Sequence, residues 1–349
     1  MKALFIVLIF ASIAIGFWQL AKIFGTTKND QVATKKENNI NGWMMLFLLA
    51  FVHGLLIYCM VAYGDVLLPN LSASTEGEGI DLLFKVTFGL ILFVQFFTQI
   101  LIFFFAFKYR GNIDRKATFY ADSHKLEMIW TSIPAIVLTI LVGFGIYTWD
   151  NVMDVSNQKD PIYIELYAKQ FQWEARYAGT DNTLGEANVR NIKGINTMGV
   201  DMNDKNAQDD ITVLHEMHLP KGRKVIFQYR SQDVLHSAYM PHFRAQMNCV
   251  PGMKTYFGFT PSVTTKEMRK NQDIIDKVQG INKIRAQKSK ELEAQGEDSL
   301  EPYTFDYLLL CNKICGSSHY NMQMKIVVEE EADFNKWLSQ QKTLASKIN

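Results

Sequence analysis

The first 150 residues consist of long apolar runs separated by short polar connections. The apolar runs cover residues 3–23, 42–63, 84–107 and 128–148. A helix needs about 20 mostly apolar residues to cross the hydrocarbon core of a bilayer. The pattern therefore predicts four membrane-spanning helices, and a buried helix of a soluble domain is a poor alternative for runs of this length.

The first apolar run also has the character of a signal peptide, because it follows Met1-Lys2 directly. No convincing cleavage site with small residues follows Phe17. Lysine and arginine are frequent within residues 22–36 and 108–125 and absent from residues 64–80. The positive-inside rule then places the first and third connections in the cytoplasm, and the N-terminus and residues 149–349 outside, if the first span is retained.

After residue 150 the pattern changes to short segments in which apolar and polar residues roughly alternate. These segments are residues 161–168, 211–214, 224–229, 254–260 and 325–328. Short strands separated by glycine and proline turns predict an antiparallel β-sandwich or barrel.

Three other segments do not follow the strand pattern. Residues 179–210 are rich in Gly, Asn and Asp and are predicted to form a long loop. Residues 265–295 are charged, carry apolar residues at helical spacing and predict a surface helix or helix pair, with a solvated insertion as the alternative. A short C-terminal helix is expected over residues 332–344.

The composition supports this division into an apolar N-terminal part and a polar C-terminal part. Hydrophobic residues make up 48% of the 349 residues, yet the mean hydropathy is −0.03. Residues 150–349 hold 26 of the 35 acidic and 25 of the 36 basic residues. A net charge of +1 argues against a nucleic-acid-binding protein, which needs a basic face.

Soft metal ligands are concentrated in one segment of twelve residues. Cys311, Cys315, His319 and Met322 lie within it, and His236 lies upstream in an alternating segment. Thiolate, imidazole and thioether groups suit copper. A single type 1 copper uses one Cys, two His and an axial Met, so the second Cys is surplus there. A dinuclear site, in which both thiolates bridge the two metals, has a use for both cysteines, both histidines and the methionine.

These motifs resemble the subunit II family of cytochrome c oxidase. Cys311-Asn-Lys-Ile-Cys-Gly-Ser-Ser-His-Tyr-Asn-Met322, after Asp233-Val-Leu-His236, resembles its binuclear copper site, called CuA. Leu126–Pro134 resembles the start of the second anchor helix, and Gln170–Tyr177 resembles the aromatic segment near the copper. The resemblance covers residues 80–340.

The resemblance implies a fold of transmembrane α-helices plus a cupredoxin-like antiparallel β-sandwich domain. Its parts are expected to be two extra N-terminal spans and loops (1–79), a transmembrane hairpin (80–149), the CuA domain with its helical insertion (150–331) and a C-terminal helix (332–349). The extra spans are expected to contact another subunit or a neighbouring respiratory complex.

The resemblance also implies roles for single residues. Cys311 and Cys315 bridge the coppers, His236 and His319 are terminal ligands, Met322 is a weak ligand and Lys313 supplies a backbone carbonyl. The family usually has Glu at the position of Lys313, where its side chain reaches a magnesium site; a lysine side chain cannot bind that ion.

Two further residue groups carry implied roles. Phe171 stands where relatives carry the Trp that receives electrons from the donor, and Trp173 follows two residues on. Glu127 matches the residue at the entrance of a proton-uptake path, although a carboxylate in the first turn of a helix is also stabilised by the helix dipole.

The implied function is that of an electron-accepting oxidase subunit. The dinuclear copper accepts electrons from cytochrome c, or from a cytochrome c domain of a neighbouring complex, and passes them to haem in subunit I. Subunit I holds the haems and CuB and reduces oxygen to water, coupled to proton translocation. The implied partners are subunits I and III and membrane lipid. The implied location is the bacterial plasma membrane with a periplasmic copper domain; the mitochondrial inner membrane is the alternative.

Other readings of the whole chain stay open at this point. A quinol-oxidase subunit II keeps the anchors and lacks the copper ligands. A nitrous-oxide-reductase-type copper domain shares the ligand spacing, but is soluble and accompanied by another copper domain. An assembly subunit needs no set of copper ligands, and a measurement of copper content distinguishes this hypothesis from that of an electron-accepting oxidase subunit.

Several remaining residues favour structural roles. His215 and His218 are expected to face opposite sides of a strand and to be solvated, and His242 is a weaker ligand candidate than His236. His53 is expected to pack between helices, and Cys59 and Cys249 are expected to be small buried residues. The acidic stretch 180–216 either steers a basic donor or is a solvated loop.

Overall fold

The structure is a computed structural model that describes residues 10–19, 33–64, 71–154 and 160–348. Three helices in this part of the chain are long and apolar enough to cross a membrane: α2 (Lys35–Tyr63), α3 (Thr75–Lys108) and α4 (His124–Met153). The most apolar window of each is wholly uncovered by the rest of the chain, which suits contact with lipid or other subunits. The first predicted span contains a shorter apolar helix, α1 (Phe10–Gln19); the remainder of that prediction lies outside the described residues.

Contacts within the chain group residues 1–61 with 91–124, and residues 62–90 with 125–349. In the first unit the indole of Trp43 packs edge-on against Phe107, with ring centroids 5.0 Å apart. The ring of His53 lies 4.5 Å from that of Phe96, and its Nδ1 is 2.9 Å from the carbonyl of Leu49. The predicted helix-packing role of His53 is therefore confirmed.

The second unit contains a sandwich of two five-stranded sheets. In chain order the strands are β1 (Ile162–Lys169), β2 (Gln172–Tyr177), β3 (Ile211–Val213), β4 (Glu216–Pro220), β5 (Val225–Ser231), β6 (His236–Met240), β7 (Ala245–Cys249), β8 (Thr255–Phe259), β9 (Tyr307–Cys311) and β10 (Gln323–Glu329). One sheet has the order β3-β2-β1-β5-β8 and the other β4-β10-β9-β6-β7. Side chains of both sheets form one apolar core.

The predicted sandwich is confirmed, and its sheets are mixed. Most neighbouring strands are antiparallel, whereas β1 pairs with β5 and β10 with β4 in parallel. Parallel neighbours require long connections. Residues 170–224 provide such a connection between β1 and β5, and the chain crosses to the other sheet and back within it.

Residues 179–210, predicted as a loop, form an ordered cover over the first sheet. Their apolar side chains build a second small core with Tyr167 and Leu344. Their carboxylates mostly accept hydrogen bonds from nearby backbone: Asp209 accepts from the N–H groups of Thr180 and Asp181, and Asp204 from those of Glu186 and Asn206. Much of the acidic stretch therefore helps to fold this cover, and the hydrogen bonds that do so lower the pKa values of Asp204 and Asp209, which favours their charged forms.

A buried charge network joins this cover to the sheet. The guanidinium of Arg176 lies 2.5 Å from a carboxylate oxygen of Glu165 and 2.6 Å from one of Asp210. Arg230 donates to the other oxygen of Glu165, and its guanidinium lies over the ring of Tyr167. Burial opposes ionisation of Glu165, but the charges of Arg176 and Arg230 hold its pKa below the ordinary value.

The predicted helix pair consists of α5 (Thr265–Met268) and α6 (Gln272–Glu293). Thr264 and Glu267 form a capping box at the start of α5, which satisfies backbone N–H groups that a helix leaves unpaired at its first turn. The C-terminal segment forms α7 (Glu331–Ser339) and α8 (Leu344–Ile348). Phe334 of α7 is buried in the sandwich core, as its apolar character predicts.

The first turns of α3 are joined tightly to the sandwich. The carboxylate of Glu76 accepts hydrogen bonds from the backbone N–H of Thr260 and from Lys224, each at 2.8 Å. Asp81 receives two hydrogen bonds from the guanidinium of Arg244, at 2.8 and 2.9 Å. We call this set of contacts the junction. It fixes the sandwich on the outer end of α3.

His242 lies beside the junction and gives the protein a predictable response to acid. Its ring packs against Phe305 and Tyr307. Burial, together with the charges of Arg244 and Lys277, lowers the pKa of His242 to about 4. The unfolded chain takes up this proton near the ordinary value of 6.5. Stability from this residue is therefore complete above about pH 6.5 and is lost as the pH falls towards 4, by about 3 kcal/mol.

Thermal unfolding of the full chain in mild detergent between pH 4 and pH 7 measures this loss. The His242→Gln variant is expected to have a flatter dependence on pH over that range. His215→Gln, at an exposed histidine, serves as the control and is expected to follow the wild type. Equal slopes in the wild type and the His242→Gln variant would contradict the prediction.

Candidate metal centre

Two neighbouring strands bring the upstream histidine to the cysteine loop. β6 begins at His236 and β9 ends at Cys311, and the two strands pair with Ala238 opposite Cys311. The N–H of Cys311 donates to the carbonyl of Met322 at 3.1 Å, and the N–H of Asn312 donates to that of Ser237 at 2.9 Å. The loop from 312 to 322 is therefore closed at its base.

The structure brings all six predicted ligand groups together. The Sγ atoms of Cys311 and Cys315 are 3.9 Å apart. The Nδ1 of His236 is 3.7 Å from the first sulfur, and the Nδ1 of His319 is 3.6 Å from the second. The Sδ of Met322 lies 3.8 Å from Cys315 Sγ, and the carbonyl of Lys313 lies 3.2 Å from Cys311 Sγ.

These distances fit metal coordination rather than a disulfide bond. A disulfide requires sulfurs about 2 Å apart, and both cysteines are free. Metal–sulfur bonds are about 2.3 Å and metal–nitrogen bonds about 2.0 Å, so two sulfurs up to about 4.6 Å apart can share one ion. Each thiol also has one imidazole nitrogen within 3.7 Å, so sulfur and nitrogen donors lie together around the pair of cysteines.

The electrostatic surroundings of the thiols also suit a cation. Burial and the neighbouring Cys311 raise the pKa of the Cys315 thiol to about 11. A metal ion reverses this effect, because a coordinated thiol is deprotonated. A cation bound at this partly buried set of soft donors would therefore stabilise the thiolate form of Cys315.

Asp233 orients the first histidine and was not predicted as a site residue. One of its oxygens accepts from Nε2 of His236 at 2.8 Å, which leaves Nδ1 facing Cys311. Its other oxygen accepts from the N–H of Gln170 at 2.7 Å. Metal-binding histidines commonly donate their second ring N–H to a carboxylate in this way. The Asp233-Val-Leu-His236 spacing was the sequence signal for this role.

The turn between β1 and β2 forms one side of the centre. The side chain of Gln170 donates to the carbonyl of Cys315, and the peptide bond between Gln170 and Phe171 is cis. Gly316 has φ of +145°, and a Cβ there would lie 2.8 Å from the ring of Phe171. Glycine is therefore needed at this position both for its backbone conformation and for space.

Phe171 and Trp173, the two aromatic candidates for electron entry, differ in how deeply they are buried. Trp173 is 1% exposed and its indole ring is 6.3 Å from that of His236. Phe171 is only partly buried. Phe171 can therefore contact an electron donor directly at the surface, whereas Trp173 lies behind the loop of residues 312–322.

Glu127 lies in the first turn of α4 and is exposed, in agreement with its predicted place at the end of a span.

Some of the structural roles expected for other residues are wrong. His218, predicted to be solvated, is buried; its Nδ1 lies 2.5 Å from Glu329, and its ring stacks on Trp337 at 4.0 Å. Cys59, predicted to be buried, is exposed on α2, because that face of the helix is not covered by the described part of the chain. His215 is exposed and Cys249 is buried, as predicted.

Membrane helices joined to a sandwich with a thiol–imidazole cluster define a membrane-anchored, cupredoxin-like copper-binding protein. Residues 66–146 match the family model described as the transmembrane domain of cytochrome c oxidase subunit II. An alternative cytochrome c oxidase subunit 2 of Bradyrhizobium diazoefficiens is 32% identical, over 83% of this chain and 92% of the relative. The chain belongs to the cytochrome c oxidase subunit II family and is a subunit of a haem-copper oxidase.

Two further comparisons show more distant similarity. The cytochrome c oxidase subunit 2 of Thermostichus vulcanus is 22% identical, over 83% of each chain. The solved periplasmic domain of cytochrome oxidase subunit II from Bradyrhizobium japonicum matches 54% of this chain and 94% of its own length, with 19% identity and a TM-score of 0.30.

Proposed function

We propose that this subunit accepts electrons from cytochrome c at a dinuclear copper centre and delivers them to haem in subunit I. The observation that supports this most directly is the pair of free thiols 3.9 Å apart, each with its own imidazole within 3.7 Å. When bound, the copper pair supplies a one-electron redox group shared by two metals. Oxygen reduction to water and proton translocation belong to the whole oxidase.

The chain's own residues hold and shape this centre. Cys311, Cys315, His236 and His319 would hold the two metals, with the thiols shared between them and one imidazole for each. Met322 and the carbonyl of Lys313 would complete the set, because the Met322 Sδ lies 3.8 Å from Cys315 Sγ and the carbonyl oxygen lies 3.2 Å from Cys311 Sγ. Closure of the loop by the strand hydrogen bonds keeps these donors in place, which limits rearrangement when the charge changes.

The surroundings favour arrival of electrons at the outer face of the loop. Phe171 is partly exposed and packs over Gly316, next to Cys315. Trp173 is buried and contacts a proposed ligand residue, because its Nε1 donates a hydrogen bond to the carbonyl of Met322 at 3.4 Å. We assign donor contact to Phe171 and an internal supporting role to Trp173. Glu127 is proposed to mark the start of proton uptake at the inner end of α4.

Lys313 replaces the acidic side chain that the resemblance leads one to expect. Its side chain is exposed and cationic, so it offers no ligand for a magnesium ion. The carbonyl role is unaffected, because every residue has that group. We therefore propose a copper centre without the adjoining magnesium site.

The proposed arrangement of parts follows from the same family membership. Residues 80–149 are the anchor hairpin, residues 150–331 the copper domain and residues 332–349 a C-terminal helix. Residues 1–79 carry the additional N-terminal spans. The proposed location is a bacterial plasma membrane with the copper domain on the periplasmic side, and the proposed partners include subunits I and III.

Electron donation to the assembled oxidase tests the function. We expect the purified complex to oxidise reduced cytochrome c, with the subunit II copper reduced before the haem in rapid-mixing absorbance measurements. Ubiquinol offered at the same concentration is the control and is expected to be a poor donor. Rapid oxidation of ubiquinol without copper reduction would instead indicate a quinol oxidase.

A further inference from the structure

The inner end of α2 carries an amphiphilic groove that none of the proposed redox roles uses. It has a volume of about 760 Å³ and is lined by Lys35, Lys36, Asn39, Ile40, Trp43, Met44 and Phe47. We call it the α2 groove. Trp43 and Phe47 are 63% and 73% exposed, so much of the apolar part is left uncovered by the described residues, while Gln19 of α1 donates a hydrogen bond to the Sδ of Met44 at 3.5 Å.

Polar and apolar groups are separated along this groove. The two lysines stand at the first turn of α2, and the indole and phenyl rings lie two to three turns further into the apolar part of the helix. At 1.5 Å per residue, residues 35 to 47 span about 18 Å. This length corresponds to a lipid headgroup followed by a substantial part of an acyl chain.

Further cationic groups surround the polar end. Arg110, just beyond α3, donates to the side chain of Asn39 at 2.8 Å. Arg115 donates to the carbonyls of Lys108 and Arg110. Two acids oppose these four cations: Asp114 lies 2.6 Å from Lys35 in an exposed ion pair, and Glu37 in the first turn of α2 accepts hydrogen bonds from Thr34. The local charge is therefore positive, and the positive-inside rule places it at the cytoplasmic leaflet.

We infer that the α2 groove binds one acidic phospholipid, with its phosphate at Lys35 and Lys36 and an acyl chain along Trp43, Met44 and Phe47. Charge complementarity selects an anionic headgroup, because basic residues near a membrane surface attract acidic lipids. The indole of Trp43 suits the boundary between headgroup and chain. The inference is independent of the copper centre.

Lipid retention by the full chain tests this inference. The wild-type protein, exchanged into detergent micelles that contain phosphatidylglycerol or phosphatidylcholine, is examined by native mass spectrometry. We expect one retained phosphatidylglycerol and no comparable retention of phosphatidylcholine. The double variant Lys35→Gln/Lys36→Gln is expected to bind phosphatidylglycerol roughly 25-fold more weakly, since each basic residue contributes about fivefold near such a surface.

A matched control separates the groove from general surface charge. Lys116→Gln/Lys125→Gln removes the same charge from exposed positions of the same predicted membrane side, outside the groove. It is expected to retain phosphatidylglycerol within about twofold of the wild type. Trp43→Ala leaves every charge in place and is expected to weaken retention of long-chain phosphatidylglycerol.

Three results would overturn the inference. The first is undiminished retention in Lys35→Gln/Lys36→Gln. The second is an equal loss in the control double variant, which would indicate surface charge alone. The third is exclusion of phosphatidylglycerol from the groove in the assembled oxidase while the isolated chain binds it, which would indicate that a protein subunit occupies this face.

Discussion

The Cys311→Ser variant is expected to lose the dinuclear copper centre completely. The hydroxyl that replaces the sulfur is a poor copper ligand, and Cys311 Sγ is the atom that lies within 4 Å of His236 Nδ1, the carbonyl of Lys313 and Cys315 Sγ at once. Copper content should fall from two ions per chain to at most one. The measurement is copper quantitation with electron paramagnetic resonance on the full chain, where a signal shared by two copper nuclei should disappear.

Two other cysteine substitutions serve as comparisons for Cys311→Ser. Cys315→Ser is expected to behave like Cys311→Ser, because both thiols bridge the metals in the proposed centre. Cys59→Ser changes an exposed thiol on α2 and should leave two coppers per chain. Two coppers with an unchanged signal in Cys311→Ser would contradict the proposed ligand set.

The Arg176→Met variant is expected to lower the free energy of unfolding by about 3–5 kcal/mol, as is typical when one partner of a buried ion pair is removed. Arg176 is fully enclosed between Glu165 and Asp210, whose side chains have no exposure either. The substitution leaves Asp210 buried without its cation. Burial already raises the pKa of Asp210 to about 6 despite Arg176, so its carboxylate depends on that partner.

Denaturant unfolding of the full chain in mild detergent, followed by near-ultraviolet circular dichroism, measures this change. Arg223→Met is a suitable control, because Arg223 makes comparatively exposed ion pairs with Asp160 and Glu331. Such pairs contribute about 0–1 kcal/mol. Similar losses in the two variants would show that the buried network is not responsible.

The membrane helices and much of the sandwich were predictable because their signals are local. Length and apolar composition identify α2, α3 and α4 without any tertiary contact. Alternation identifies β1, β5 and β10, each with an apolar face in the core. The ligand set was predictable for a similar reason, since most of its members lie within twelve residues.

The environments of single side chains were harder to predict, because they depend on distant segments. The sequence around His218 gives no sign that this side chain is buried. It is covered by Trp337 of α7, which lies more than one hundred residues later in the chain. Asp233 is three residues from His236, but its second oxygen binds the β1–β2 turn. Asp210 and Arg176 are likewise joined only when residues 179–210 fold over the first sheet.

The junction bears on the speed of the proposed electron delivery. Electron tunnelling slows exponentially with the gap between donor and acceptor, so a swinging domain would give a wide spread of rates. Glu76 and Asp81 of α3 bind Lys224 and Arg244 of the sandwich through charged hydrogen bonds. Strand β6 runs from His236 to Met240, four residues before Arg244. In the proposed electron-accepting role, this attachment would keep the loop of residues 312–322 at one height above the outer end of α3, so that each electron would cross a gap of the same width.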